Sequence, residues 1–446
     1  MGLNVAHDDI EPIAPAERTV GFKGMVLLWV AANLVIPTIL TGQGLVPDLS
    51  PGRALAAVFF GSLVGCLALA LMAVMGTRTG LPTLVVARGA YGHRGAKIPA
   101  AANALILLGW MMIQGYLGAR SLNFVLQSLF HLDNVLLCIV VVEGLVIAVT
   151  ILGHTGIQKI ESFVSITMLI GALGVFYALF SNYSLQELQQ VPLSPSPKVT
   201  YSIAFDLVLS TAFSWISLPC DYSRFCRTQT GSGAGIAIGY LLGTLIAMSA
   251  GIAVATFAML RGMSSGLDPT AVLASFGFGV PASLVIVVSV IMTNVLALYS
   301  AVMSAMSIPR RKVRFVPLTL GIGLLSILGA SLRERLMESF FEWILLVGAL
   351  FIPVFTIVLV DYYLVSRASY AQSSLIRAID SRYTYYKGVN SVAVVAYLCG
   401  VVFALYFTYV RPLAMGVTAA TFVFTAVVYF TASKLAYQTG RQRVLQ

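Results

Sequence analysis

The sequence predicts an all-α integral membrane protein, on three observations: its composition, the number of its long apolar runs, and the interruption of two of those runs. Of its 446 residues, 59% are hydrophobic and only 10% are charged. A soluble domain carries about 25% charged residues, so a chain this apolar suits lipid better than water. We therefore expect a single membrane domain, although the length alone suggests two or three soluble domains.

Twelve apolar runs approach or exceed the length of about 20 residues that crosses the hydrocarbon core of a bilayer. Each must be a helix, because an open strand leaves backbone groups unpaired in lipid and the alternating pattern of a β-barrel is absent. The runs cover residues 25–45, 54–75, 98–129, 135–153, 161–180, 203–220, 233–260, 279–305, 315–331, 339–365, 389–409 and 412–433. The predicted organisation is one transmembrane domain at 25–433 between tails at 1–24 and 434–446.

The net charge of +10 is typical of a nucleic-acid-binding protein only in a soluble context. Here the basic residues lie in short loops between apolar runs, chiefly at 78–97, 310–314 and 367–387, all on the side of the two termini. By the positive-inside rule, both termini are predicted to be cytoplasmic in a multi-pass protein of the cell (inner) membrane. The first residues lack the basic start of a signal peptide, and the loop at 181–200 is then external.

Spans one and six are interrupted at polar residues and proline. Span one contains Asn33 and Pro37 at mid-depth, and span six contains the hydroxyl-rich segment 210–219, which ends in Pro219. Each is the first span of a block of five, and interrupted spans at matching positions indicate inverted repeats around a central site. The alternative is that these residues are simply tolerated, since transmembrane helices carry Gly and Pro freely.

Span three carries the strongest candidate for a binding surface. Trp110 and Gln114 are four residues apart and share a helix face. An indole offers a flat surface to a planar ring, and a carboxamide offers both a donor and an acceptor to its edge. Trp215 in broken span six is a candidate second ring. From spacing alone, Gln114 is equally explained as a helix–helix contact.

Spans four and eight place polar groups at depth. Thr293 and Asn294 lie well inside span eight and suit a cation, a substrate or another helix. Glu143 in span four is a carboxyl within an apolar run, which is a functional hypothesis by default in a membrane. It is a candidate for carrying a coupling proton, but we favour a structural role, such as an ion pair with Arg120.

Three motifs resemble those of the nucleobase–cation symporter family, which includes cytosine, purine–cytosine, allantoin and hydantoin permeases. The most specific stretch runs from Gly76 to Pro99 between spans two and three, beginning GTRTGLPT and continuing ARGAYGHRGAKIP. Asp221–Phe225 (DYSRF) after span six and Asp361–Val365 (DYYLV) after span ten are similar to two further family motifs. The likeness extends from Glu17 to about Lys434.

The resemblance implies a five-plus-five inverted repeat of the LeuT type, with repeats at about 25–180 and 203–365 and two extra helices at 389–433. It also implies cation-driven import of a planar nitrogen heterocycle, with no other cofactor. In the hydantoin member the ligand stacks between tryptophans of spans three and six. The residues that match family substrate positions, or that lie beside them, are Trp110, Gln114, Trp215, Ser214, Asn33 and Asn294.

Two departures from the family pattern bear on the cation and on the substrate. Family sodium sites use backbone carbonyls of spans one and eight and two span-eight hydroxyls. Ala31, Leu34 and Ser289 align with the carbonyl donors and Thr293 with one hydroxyl, but Met292 stands at the other, and a thioether is a poor ligand for a hard cation. The resemblance therefore favours protons over sodium. Leu298 replaces a ligand-binding asparagine of the hydantoin transporter and argues for another substrate.

The sequence therefore predicts a secondary active symporter that imports cytosine or a purine by alternating access, driven by a proton or sodium gradient. The alternative substrates are allantoin, hydantoin or a thiamine-precursor pyrimidine. A channel is disfavoured because no selectivity filter or ring of like charges is evident. An enzyme is disfavoured because no intramembrane cluster of His, Cys or paired carboxylates is present. The predicted partners are a small nucleobase-like substrate and the lipid bilayer, with no nucleic acid.

Overall fold

The computed structural model of the chain consists of helices joined by connecting segments. It describes residues 9–181, 184, 186–187, 191–260, 262, 279–309, 313–332, 335, 340–377 and 383–438. Parts of the predicted tails, of the 181–200 loop and of the basic loops at 310–314 and 367–387 lie outside the described residues.

The first five predicted runs correspond to helices, of which the first is broken. The connection after the second run contains two short helices. In chain order the helices are α1 (Phe22–Asn33), α2 (Ile36–Gln43), α3 (Pro51–Thr79), the short α4 (Thr83–Val86) and α5 (Arg88–Tyr91), α6 (Lys97–Phe130), α7 (Val135–Ile151) and α8 (Gly153–Phe180).

The remaining predicted runs correspond to helices in the same way, and the sixth is again broken. The helices are α9 (Tyr201–Ser214), the short α10 (Pro219–Ser223), α11 (Gln229–Leu260), α12 (Gly279–Ser307), α13 (Phe315–Ala330), α14 (Phe340–Val360), the short α15 (Gln372–Ile376), α16 (Ser391–Leu405) and α17 (Thr418–Gln438). One π-helical turn extends α14 through Val365, and another extends α16 through Val410.

Seven helices in the described part are long and apolar enough to cross a membrane, and the pair α1–α2 makes an eighth. Three more apolar helices, α7, α9 and α13, are shorter. The exact number of twelve spans therefore stays a prediction. Many large apolar side chains lie on the outer surface, as on α3 and α13, which is the arrangement expected of a protein surrounded by lipid.

Both predicted interruptions are breaks in the backbone. The axes of α1 and α2 differ by 60° across Leu34 and Val35. In span six, α9 ends at Ser214 and α10 begins at Pro219, whose fixed φ and missing N–H suit a first helical turn. Each break leaves backbone groups without their usual helical partners in the interior of the protein.

The first broken helix packs closely on α11. A side chain at Gly42 would overlap the backbone of Met248, and one at Gly251 would overlap the backbone of Ile39. Only glycine permits two helices to approach this closely, which is the usual reason for small residues at membrane helix contacts. On the other side of the bundle, α12 packs along α6 and also contacts α7, so that spans three, four and eight meet.

The Gly76–Pro99 motif forms the connection that contains α4 and α5, and it joins distant parts of the chain. The backbone N–H of Thr83 donates to Asp221 Oδ1 at 2.8 Å. The buried Arg88 guanidinium donates to the carbonyl oxygens of Ser307 and Leu375, each at 3.1 Å. These bonds connect the motif to the ends of spans six and eight. Buried polar groups need hydrogen-bond partners, which explains why the motif requires particular residues at these positions.

Candidate functional site

The two broken helices bring a pair of tryptophans together. The rings of Trp29 on α1 and Trp215, the residue that follows α9, have centroids 6.2 Å apart at an interplanar angle of 68°. This edge-to-face arrangement is a favoured aromatic geometry. Trp29 is buried, whereas Trp215 is only half-buried. Trp29 therefore supports one side of the Trp215 ring, and part of that ring remains accessible.

Trp29 is a residue that the sequence reasoning did not include in the site. The available signal was its position, four residues before Asn33 and thus on the same face of α1. What the sequence did not reveal is that this face turns toward the break in span six, because that placement depends on how two distant helices pack.

Trp110 and Gln114 lie on the long helix α6, one turn apart. The indole of Trp110 is half-buried, and it packs against the same hydrophobic core as Trp215. Gln114 is only 4% exposed, and its Oε1 has no hydrogen-bond partner in the part of the chain that the structure describes. An unpaired buried carbonyl costs about 1–3 kcal/mol, so a hydrogen bond donated to this oxygen would be stabilising.

Asn294 on α12 is fully buried against the turn of α6 that carries these two residues. Its Nδ2 donates to Met111 O at 3.1 Å and to Glu143 Oε1 on α7 at 2.7 Å. Its Oδ1 has no partner among the described residues. Spans three, four and eight therefore share one polar cluster, and Glu143 belongs to it. Arg120, by contrast, is exposed.

Asn33 and Ser214 have their side chains engaged within the protein. Asn33 Nδ2 donates to Trp29 O at 2.9 Å, and Asn33 Oδ1 accepts from the Thr244 hydroxyl of α11 at 3.4 Å. The Ser214 hydroxyl donates to Thr211 O at 2.7 Å, one turn earlier. The side chain of Asn33 thus joins α1 to α11. The hydroxyl of Ser214 is used within α9, so the part of Ser214 that lies at the break is its backbone, next to Trp215.

Oxygen groups from spans one and eight meet at the first break. The hydroxyl of Ser289 on α12 donates to Leu34 O, and the Leu34 N–H donates to Ala31 O at 3.2 Å. Thr293, one turn after Ser289, has a buried hydroxyl oxygen without a partner among the described residues. Carbonyl and hydroxyl oxygens are the ligands of hard cations. The predicted cation-site residues are therefore adjacent, and Ser289 offers a side-chain oxygen as well as a carbonyl.

Met292 and Leu298 are the two apolar residues that stand where relatives in the family have a polar ligand. Met292 is buried and packs with Ala31 and Leu34 in one hydrophobic cluster, so its thioether lies beside the oxygen groups of the first break. Leu298 is fully buried in the main core. Neither side chain adds a polar ligand to the site.

Comparison with known proteins identifies the family. The family model described as "Permease for cytosine/purines, uracil, thiamine, allantoin" matches residues 12–432. The chain belongs to this permease family. It is therefore a multi-pass membrane transporter and not an enzyme. Members of this nucleobase–cation symporter class transport small nucleobase-like molecules.

Relatives of this permease have several named substrates. It is 26% identical over 440 residues to the purine-uracil permease NCS1 of Arabidopsis thaliana, covering 90% of this chain and 71% of that one. It is 25% identical over 446 residues to the allantoin permease of Bacillus subtilis, covering 92% and 88%. These names span purines, pyrimidines and a ureide, so they define a class of substrate and not a single compound.

Among solved structures, the permease is similar to Mhp1, a nucleobase-cation-symport-1 family transporter, in a closed conformation with bromovinylhydantoin bound. The TM-score is 0.85 at 21% identity, and the match covers 100% of this chain and 98% of that one. The predicted all-α fold of the LeuT type is thereby confirmed.

Proposed function

We propose that this permease imports a planar nucleobase, cytosine or a purine, by alternating access around a central site between spans one, three, six and eight. The observation that supports this most directly is the pairing of two half-exposed tryptophans with two buried amide oxygens, those of Gln114 and Asn294, that have no partner among the described residues. A flat ring with polar edges is the ligand that such a set of groups matches.

In this proposal Trp110 and Trp215 stack on the two faces of the ring, and each stack contributes about 1–3 kcal/mol. Gln114 and Asn294 contact its edge, and the backbone at Ser214 lines the break beside Trp215. Asn33 links α1 to α11 through the hydrogen bond that its Oδ1 accepts from Thr244, while its Nδ2 donates within α1 to Trp29 O. The hydantoin bound by Mhp1 is also a planar nitrogen heterocycle, which supports the same placement for the ligand.

Uptake by reconstituted or heterologously expressed permease tests the proposal. We expect accumulation of labelled cytosine or adenine against a gradient, abolished by dissipating the cation gradients, and competed by a matching panel of bases. Allantoin, hydantoin and a thiamine-precursor pyrimidine form the second arm of that panel. If one of these outcompetes every nucleobase at equal concentration, the assignment to nucleobases is wrong, although transport itself would stand.

The family transports with a cation, and we propose that the coupling cation, a proton or sodium, is bound or sensed at the first break. Ala31, Leu34, Ser289 and Thr293 supply oxygens there, while Met292 supplies none. The family resemblance matched Ser289 only to a carbonyl donor. Its hydroxyl is a second hydroxyl one turn from Thr293, and this additional oxygen supports sodium as the cation.

Replacing sodium with choline at fixed pH distinguishes the two cations. If sodium binds at the break, uptake falls, and Thr293→Ala raises the sodium concentration needed for half-maximal uptake by about 5–150-fold, as expected for one lost ligand worth 1–3 kcal/mol. Ser331→Ala is the control, because this partly buried hydroxyl beyond α13 donates only within its own turn, to Ile327 O, among the bonds described. Full uptake in choline would instead assign the coupling to protons.

We also propose that both termini are cytoplasmic in the cell (inner) membrane, that the 181–200 loop is external, and that the inverted repeats comprise about 25–180 and 203–365. The distribution of Lys and Arg supports this orientation. Labelling of single cysteines introduced in the loop and in the tails, with a reagent that does not cross membranes, tests it.

A further inference from the structure

We propose that Glu143 is a positioning residue for substrate selection: its carboxyl group orients the Asn294 amide so that Asn294 Oδ1 faces the ligand, where it selects an exocyclic amino group over a carbonyl. This inference rests on the proposed function. It narrows the substrate class to planar heterocycles with an amino group next to a ring nitrogen, such as aminopyrimidines and aminopurines.

The orientation of the Asn294 amide follows from its neighbours. A carboxamide NH2 has two protons, and Asn294 Nδ2 has two acceptors within reach, Met111 O at 3.1 Å and Glu143 Oε1 at 2.7 Å. Neither acceptor has a proton to donate when the carboxyl is ionised. Rotating the amide by 180° would therefore place oxygen against oxygen at both contacts, so only Oδ1 remains available to a ligand.

Glu143 is held firmly enough to impose this orientation. Its side chain is fully buried and packs against the backbone of Gly115, where any larger residue would collide with the carboxyl group. Ser326 on α13 lies beside the same carboxyl. The glutamate is thus fixed between α6, α12 and α13, and its Oε1 accepts from Asn294 Nδ2 at 2.7 Å.

Two amide oxygens then lack partners in the described part of the site, Asn294 Oδ1 and Gln114 Oε1. Asn294 contacts the turn of α6 that begins at Trp110 and ends at Gln114, so both oxygens lie near the proposed stacking surface. An exocyclic amino group placed at Asn294 Oδ1 donates a hydrogen bond to that oxygen, whereas a carbonyl in the same place would leave the oxygen unpaired and repel it. A site with unpaired polar groups rejects the wrong ligand strongly.

The test compares binding of labelled cytosine and uracil, which differ at C4 in an amino group against a carbonyl and at N3 in a lone pair against an N–H. The measurements are equilibrium binding to purified permease and uptake in vesicles. Wild type should prefer cytosine. In Glu143→Met only Met111 O still holds the Asn294 NH2, so the preference for this orientation weakens, and the cytosine-to-uracil affinity ratio should fall by at least about 5-fold, the effect of losing about 1 kcal/mol of discrimination.

Glu143→Gln is the conservative variant. Its amide oxygen can still accept from Asn294 Nδ2 while its own NH2 turns toward Ser326, so the affinity ratio should stay close to that of wild type. In an Asn294→Ala background, Glu143→Met should change the ratio no further, because a positioning residue acts only through the group that it positions. Asp206→Asn is the matched control, since this buried carboxyl group accepts from backbone N–H groups at the start of α17 and not from Asn294.

An unchanged ratio in Glu143→Met overturns the inference and leaves the proposed function intact. So does a Glu143→Gln variant that loses the preference for cytosine, because its amide oxygen can still accept from Asn294 Nδ2. Failure of wild type to bind either base would overturn the proposed function, and this inference with it.

Discussion

Trp110→Ala is expected to abolish detectable uptake. The indole provides one face of the proposed stacking site on α6, and a lost stack costs about 1–3 kcal/mol, or about 5–150-fold in affinity. The loss in transport should be larger than in binding, because a ring held on one face only is free to leave the orientation needed for closure. The measurement is initial uptake rate together with equilibrium binding in the same membranes.

Two further variants show whether this loss is specific to the site. Trp110→Phe retains a smaller aromatic surface and should recover part of the binding. Phe60→Ala removes an aromatic ring that is 51% exposed on the outer surface of α3, and should leave uptake unchanged. Gln114→Ala should also abolish uptake, through loss of the edge contact. Normal transport by both the Trp110→Ala and Gln114→Ala permeases would show that the substrate binds elsewhere.

Gly42→Val is expected to prevent the permease from folding stably. The added side chain would meet the carbonyl and Cα of Met248 on α11, and backbone atoms cannot move aside as a flexible side chain can. Overpacking against side chains already costs typically about 1–3 kcal/mol, and a backbone collision should exceed that. We expect little monodisperse protein on size exclusion and a large fall in the melting temperature of what remains.

Gly44→Ala is the control for this substitution, because it lies two residues away. A methyl group there would make only ordinary contacts with Leu40 O and Thr41 O, and the backbone of Gly44 has a helical φ of −67°. Gly44→Ala should therefore give normal yield and normal uptake. A stable, active Gly42→Val protein would mean that α2 does not pack on α11 as closely as described.

The predicted spans agree well with the helices because their cause is local. A run of apolar residues needs only its own backbone hydrogen bonds to be stable in lipid, so composition and length locate it. The breaks at Leu34 and after Ser214 were also predictable, since Pro37 and Pro219 each remove a backbone donor near the interruption. The ends of the helices differ from the predicted runs by a few residues, because the last turn of a helix and the first residues of the following loop have similar amino-acid compositions.

The site was less predictable from the sequence. Trp110, Gln114 and Trp215 could be proposed as ligands from their chemistry and from the family resemblance. Two other conclusions required the packing. Asn33 uses both ends of its amide within the protein, and Trp29 lies edge-on to Trp215. Both depend on which helices face α1, and no spacing within α1 contains that information.

By itself, therefore, the sequence determined that this protein is a helical membrane transporter, where its helices break, and which polar residues lie at depth, because each of these properties follows from hydropathy, backbone chemistry or a local motif. Only the tertiary structure decided which of those polar residues share a site. Glu143, Asn294 and Met111 come from three spans separated by up to 183 positions. Their hydrogen bonds exist only once α6, α7 and α12 pack together, and those bonds decide which atom of Asn294 is left for a substrate.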